Sequence, residues 1–357
     1  MPLIRSLAAR AGISLALFSL LPAASFAEPR VVASIKPVHS LVASVMQGVG
    51  TPDLIVGGAA SPHAYALKPS QARALENADL IFWIGHDLES FLGKPIETIG
   101  ASARAIELID SDGVVRLPFR EGGPFEEHAH DDHAAGHEDH EDEKHEDHAH
   151  GHDDHESEKH EDHAHGHDDH DHEDHDDHEG HNHEAGFDAH LWLDPVNAKA
   201  FVAAIGEALS ETDPENASSY AANVAETNQK LDALIEEVKA SLAPVHGNHF
   251  IVFHDAYQYF EKRFDMEAAG SITVNPEVRP SAERVADIRS KVRELDASCA
   301  FSEPQFDGQL IGVAIEGTDA KSAVLDPLGA SLEDGPELYF DLIRNLGTDM
   351  RDCLAAD

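Results

Sequence analysis

Imidazole is the side chain that most often ligates a transition metal at neutral pH, and this chain of 357 residues carries 27 of them. Twenty fall between His128 and His183, in a tract that also holds 23 Asp or Glu and 2 Lys. Within it "EKHEDHAHGHDDH" stands at 143–155 and returns at 158–170. Seven histidines lie outside the tract: His39, His63, His86, His190, His246, His249 and His254. Both groups suit divalent cations, but in different ways. A repeat of equivalent imidazoles and carboxylates gives a mixture of weak, exchanging complexes, whereas a few imidazoles on rigid elements give one geometry. Zn²⁺ takes three or four such ligands tetrahedrally, at about 2.0–2.1 Å from nitrogen.

The rigid elements follow from the hydrophobic pattern. Short β-branched runs alternate with helical periodicity. "VVASI" (31–35), "DLIV" (53–56), "DLIFWI" (79–84) and "AIELI" (105–109) read as strands. Helices are expected from about 36 to 46, over "PSQARALENA" and over "LESFLGKPIETI" despite Pro95. This alternation predicts an α/β lobe with a mainly parallel sheet covered by helices. A helix from about Pro195 to Leu209 follows. Then 216–243 runs without Gly or Pro, with Tyr220, Val224, Leu231, Ile235, Val238 and Leu242 near three- and four-residue spacing, which predicts one long helix. The alternation restarts beyond it: strands over "HFIVF", "AAGSITV", "CAFS" and "SAVLD", helices over "DAYQYFEKRF", 280–295, 307–316 and 337–350. The expected architecture is two α/β lobes bridged by one long α-helix: residues 28–212, a linking helix at 213–243, and 244–357.

The His-rich tract has five alanines as its only apolar side chains, too few to offset the entropy of ordering the chain, and is expected to be a disordered insertion at about 126–187. It contributes −21 of the formal charge of −43. The remainder is still acidic, which excludes nucleic acid and anionic membrane surfaces as partners and leaves cations. Residues 1–27 read as a signal peptide: Arg5 and Arg10, then "AGISLALFSLL", then "SFA" ending at Ala27. Cys299 and Cys353 fit an exported chain, as a disulfide or as two inert buried thiols.

In open parallel sheets function gathers past the carboxyl ends of strands. His63 in "GGAASPHAY" follows the strand at 53–56, His190 opens "HLWLDP" where the chain re-enters the fold, and His254 directly follows "HFIVF". Any one of them alone reads as a structural histidine; the three at comparable ends point to a Zn²⁺ site between the lobes. Asp326 in "SAVLDPLG" is the candidate fourth ligand, or else a cap or turn residue before Pro327.

The ordered set "GAASPHAYALKPSQARALENADLIFWIG", "HLWLDP", "FHDAYQYFEKRF", "ITVNPEVRPSAERVADIR", "CAFSEPQF" and "LDPLG" resembles the zinc-binding components of bacterial high-affinity zinc ABC transporters, within the cluster A-I solute-binding proteins. The resemblance covers nearly the whole mature chain. It implies a two-lobed periplasmic monomer that passes Zn²⁺ to a membrane permease, with a periplasmic zinc chaperone as a further partner. It also implies His63, His190 and His254 as the three imidazole ligands and a disulfide matching Cys299 and Cys353. Manganese-binding relatives tend to carry Glu at the position of His254 and to use Asp at that of Asp326; His254 favours zinc. Some zinc members have Glu just before the first ligand, where this chain has Pro62, and that leaves the fourth ligand between Asp326 and water. Rival readings are a manganese-binding member, an exported zinc-storage protein resting on the insertion, and a zinc hydrolase. A hydrolase needs a general base beside the metal water; no HExxH occurs, and Glu303 and Asp255 are the carboxylates open to that role.

Overall fold

The computed structural model describes residues 28–120, Phe125, 186–273 and 275–355. The expected signal peptide and the expected insertion up to residue 185 lie outside the described residues.

In the first lobe β1 (Val31–Ile35), β2 (Asp53–Val56), β3 (Leu80–Trp83) and β4 (Arg104–Glu107) form a parallel sheet in the order β2-β1-β3-β4. In the second, β5 (Phe250–His254), β6 (Ala268–Thr273), β7 (Cys299–Ser302) and β8 (Lys321–Val324) repeat the plan as β6-β5-β7-β8. Central strands β1, β3 and β5 are buried at every residue, as expected of parallel strands covered on both faces. Edge strands β4 and β8 are largely solvent-facing. Each sheet reverses its winding beside its first strand, between β1 and β3 and between β5 and β7. A crevice therefore opens at the carboxyl ends there.

Helices α1 (Lys36–Val45), α2 (Pro69–Asn77) and α3 (Ser90–Thr98) cover the first sheet, and α6 (Gln258–Phe264), α7 (Ala282–Glu294) and α8 (Gln309–Ala314) serve the second. Between the lobes run α4 (Pro195–Thr212) and α5 (Ala217–Leu242), and the chain closes with α9 (Leu338–Leu354). At 1.5 Å per residue the 26 residues of α5 span about 39 Å. Its buried stripe, Tyr220, Thr227, Leu231, Leu234, Val238 and Leu242, packs on α4 and α9. Two glycines permit the close approach: a Cβ at Gly206 would lie 2.5 Å from Val224, and one at Gly347 would lie 2.9 Å from Val238. One apolar core runs from the first sheet through α1, α4, α5 and α9 into β5 and β7, and a smaller one lies under α7 and α8. The lobes thus share buried surface as well as a crevice.

Several boundaries differ from expectation. His254 is the last residue of β5, not the first beyond it. The helix expected from Asp255 starts at Gln258, because Ala256 N donates back to the carbonyl of His254 (2.9 Å) and turns the chain sharply. Helix α9 runs four residues past 350, since Cys353 and Leu354 continue its buried face. Phe187, the expected end of the insertion, forms an antiparallel bridge to Pro118.

Cys299 and Cys353 form a disulfide that ties β7 to α9, with Cα atoms 6.1 Å apart across 54 residues. A loop of that size contributes about 4 kcal/mol in the chain-entropy model. Reduction, or Cys353→Ser, is expected to lower the denaturant midpoint by a corresponding amount. An unchanged midpoint would show that the bond does not constrain the unfolded chain.

Candidate metal centre

His63 sits in the loop from β2 to α2. That loop is held by Gln71, whose backbone-capping oxygen accepts from Lys68 N (2.8 Å) and whose amide donates to the Tyr65 hydroxyl (3.0 Å). Tyr65 packs against Phe91 with ring centroids 5.3 Å apart. His190 precedes a one-turn 3-10 helix, Leu191–Leu193, whose three side chains are buried. Just beyond, Asp194 caps α4 at Val196 N (2.8 Å) and takes a bidentate pair from Arg263 at 2.7 Å on both oxygens. His254 ends β5, and Glu303 follows the neighbouring strand β7.

Two carboxylates orient two of the rings. Asp188 Oδ1 accepts from the Nδ1–H of His190 at 2.7 Å, and Glu303 Oε1 accepts from the Nδ1–H of His254 at 2.7 Å. Asp188 and Glu303 are 2% and 3% exposed, so water does not compete for these bonds. With Nδ1 carrying the proton, each Nε2 turns a lone pair inward. The Nε2 atoms of His190 and His63 are 3.3 Å apart, and those of His254 and His190 are 3.2 Å apart. For His254 and His190, both with the proton held on Nδ1, two lone pairs face each other and repel unless a proton or a cation lies between them. Tetrahedral nitrogens at about 2.0–2.1 Å from a zinc ion are about 3.3 Å from one another. Among the described residues these three form the group of ligating side chains whose ligand atoms lie within 4.8 Å of each other.

Electrostatics agree with the geometry. Burial, then the neighbouring rings of His190 and His254, hold His63 well below the ordinary imidazole range, which keeps it neutral and able to ligate. Burial pulls His254 down as well, but the charge and hydrogen bond of Glu303 outweigh it and raise the net value. The two buried carboxylates supply two negative charges, which a dication balances. The rings border a small cavity of about 10 Å³ with Pro62, Trp192, Phe306 and Pro327 among its walls, room for one ion or water and for no organic ligand.

Asp326, the expected candidate for the fourth ligand, stands outside this group. Its Oδ1 accepts from Leu328 N (3.2 Å), Gly329 N (3.0 Å) and the Gln305 amide (3.1 Å), and its Oδ2 from Ala330 N (2.6 Å). The turn after β8 holds the carboxylate, which is the alternative its position before Pro327 left open. Of the carboxylates considered as a hydrolytic base, Glu303 holds His254, and Asp255 pairs with Arg120. Asp188 went unremarked in the sequence; its signal was its place two residues before His190, within reach of that residue's own ring.

Fold and site together define a two-lobed protein whose crevice turns three imidazole nitrogens toward one point, the arrangement of a receptor for a single cation. The family described as zinc-uptake complex component A periplasmic, ZnuA, matches over residues 31–353, and the chain belongs to it. The high-affinity zinc uptake system protein ZnuA of Brucella suis biovar 1 (strain 1330) is 53% identical over 325 residues, 91% of each chain. The periplasmic zinc binding protein TroA from Treponema pallidum shares the fold with a TM-score of 0.68 at 17% identity, over 92% of this chain and 100% of that one. So does a manganese-bound periplasmic metal binding protein from Candidatus Liberibacter asiaticus, with a TM-score of 0.66 at 20% identity over 91% and 100%. This fold alone therefore does not set the metal; the ligands must.

Because Glu303 both orients His254 and raises its proton affinity, Glu303→Gln should act twice. Zn²⁺ affinity is expected to fall about 10- to 100-fold. The proton released when Zn²⁺ displaces it from His254 near pH 6.5 should also diminish, because the largest influence raising that ring's proton affinity is gone and Asp255 and Asp188 are left to oppose burial. Calorimetry in buffers of different ionisation enthalpy reads both quantities; unchanged affinity together with unchanged proton release would refute the orienting role.

Proposed function

We propose that this chain captures one Zn²⁺ on Nε2 of His63, His190 and His254 and delivers it to the permease subunit of an ABC transporter for high-affinity zinc uptake in the periplasm. The observation that carries this reading is the Nε2 spacing of 3.2 and 3.3 Å, which suits a tetrahedral zinc ion, with the two carboxylate-held rings turning lone pairs to the same point. The family and the relatives named for zinc uptake support it. Three neutral nitrogen donors favour Zn²⁺ over Mn²⁺, which prefers hard oxygen ligands and lies lower in the general affinity order. With the carboxylate of Asp326 engaged by its turn, water completes the fourth position. A permease and a zinc chaperone are the partners of this reading, the chain acts as a monomer, and neither Glu303 nor Asp255 is free to serve as a hydrolytic base.

The His-rich tract is accessory in this account. Its many imidazoles among carboxylates collect ions weakly, while the crevice selects one. A protonated ring cannot ligate, so the weak sites should fade as pH falls from about 7.5 to 6, and neighbouring carboxylates, by raising those rings' proton affinity, make the fading begin at the higher end. In the crevice His63, held low, stays neutral over the same interval, and at His254, whose proton affinity Glu303 raises, tightly bound Zn²⁺ displaces the proton.

Replacing any one of His63, His190 or His254 with Ala is expected to lower Zn²⁺ affinity tenfold or more in competition titrations. Tight binding retained by all three variants would dismiss the site, and Mn²⁺ preferred at equal free concentration would give the manganese reading. Metal analysis separates receptor from store: the native chain should hold several ions at pH 7.5 and close to one at pH 6, and a chain lacking 126–185 should hold one at both. Loss of the last ion with the tract would make the protein a store.

A further inference from the structure

We infer that Asp87 and Glu277, one carboxylate from each lobe, draw the incoming dication through a polar vestibule to His63 and His190, so that metal arrives without the lobes parting. This rests on the three-histidine reading above and adds the route to it. Besides the small cavity, His63 and His190 line a second, wider cavity of about 340 Å³. Asp87, from the segment between β3 and α3, and Ser90, the first residue of α3, line it from the first lobe, and Asn275 and Glu277, beyond β6, from the second. Both carboxylates are exposed, and among the described residues neither side chain has a hydrogen bond or ion pair. Arg120, whose partner Asp255 also lines this cavity, is taken up by Asp255 and Glu261.

An exposed unpaired carboxylate is ordinarily just solvated. What sets these two apart is that they flank a cavity whose floor is two of the three converging imidazoles. Elsewhere the lobes are tied together. Trp192 Nε1 donates to the Pro327 carbonyl (2.8 Å), the Tyr339 hydroxyl donates to the Trp192 carbonyl (2.7 Å), and Lys36 Nζ donates to the Leu332 carbonyl (2.7 Å). The apolar core that both lobes share would be exposed if they swung apart. A dication approaching a mouth with unpaired negative charge on both rims meets a field that raises its encounter rate, and salt screens that field.

The test is stopped-flow association of Zn²⁺ with the full chain carrying Trp83→Phe, so that the tryptophan signal comes from Trp192, whose ring lies 5.3 Å from that of His190. Asp87→Asn with Glu277→Gln should slow association roughly three- to tenfold at about 10 mM ionic strength, and the difference should shrink toward nothing near 0.5 M salt as the charges are screened. Each single change should give part of the effect, stoichiometry at the crevice should stay at one, and Glu215→Gln, remote from the vestibule, should match the native rate. Equal rates for the double variant and the Glu215→Gln control at low salt would overturn the route while leaving the three-histidine site standing. Tight Zn²⁺ binding that survives alanine at His63, His190 and His254 alike would overturn the site and the route together.

Discussion

Two lone pairs forced to face one another, beside a third imidazole, are the constraint on which the rest of this molecule turns. Left to itself a neutral imidazole rotates or exchanges tautomers to escape such a contact. Here two of the rings cannot, because Asp188 and Glu303 hold their Nδ1 protons from positions 2% and 3% exposed. Repulsion that would be a defect in an ordinary core becomes an affinity for any cation of the right size. The cost of keeping the site primed is distributed over the bonds around it: the 3-10 turn after His190, the Asp194–Arg263 pair beyond it, and the parallel strands that fix His254 and Glu303 side by side.

The fold supplies that fixation by duplication of one plan. Both sheets run their strands in parallel and both turn their carboxyl ends toward the crevice, so residues that end strands in separate lobes meet without any long excursion of the backbone. Helices α4, α5 and α9 then bind the lobes through a shared core rather than through a narrow hinge. Parting the lobes would expose that core to water.

Much of this was legible in the sequence because periodicity reports burial. Strands β1, β2 and β7 lie where their apolar runs placed them, and the uninterrupted stretch after Pro214 is the long helix α5. His63, His190 and His254 stood out because each follows or ends a segment of recognisable pattern. The carboxylates were harder. Glu303 and Asp326 both trail strands of the second sheet, and nothing in their spacing says that one faces a histidine ring while the other turns back to cap Leu328, Gly329 and Ala330. That distinction lies in side-chain direction, which depends on the register of β7 and β8. Asp188 was hidden by the low-complexity tract whose edge it adjoins, although it belongs to the buried re-entry segment. The start of α6 was misjudged for a similar reason, since the turn at Ala256 is a backbone hydrogen bond with no compositional sign.

The division of labour between a preorganised crevice and a polyvalent tract is the central claim, and where the first ion goes decides it. A crystal grown from the intact chain with one equivalent of zinc, measured at the zinc absorption edge, locates that ion directly. The account predicts a single anomalous peak bonded to Nε2 of His63, His190 and His254 at about 2.0–2.1 Å. A crevice without such a peak, or an ion held there through Asp326 in place of one of the imidazoles, would contradict it.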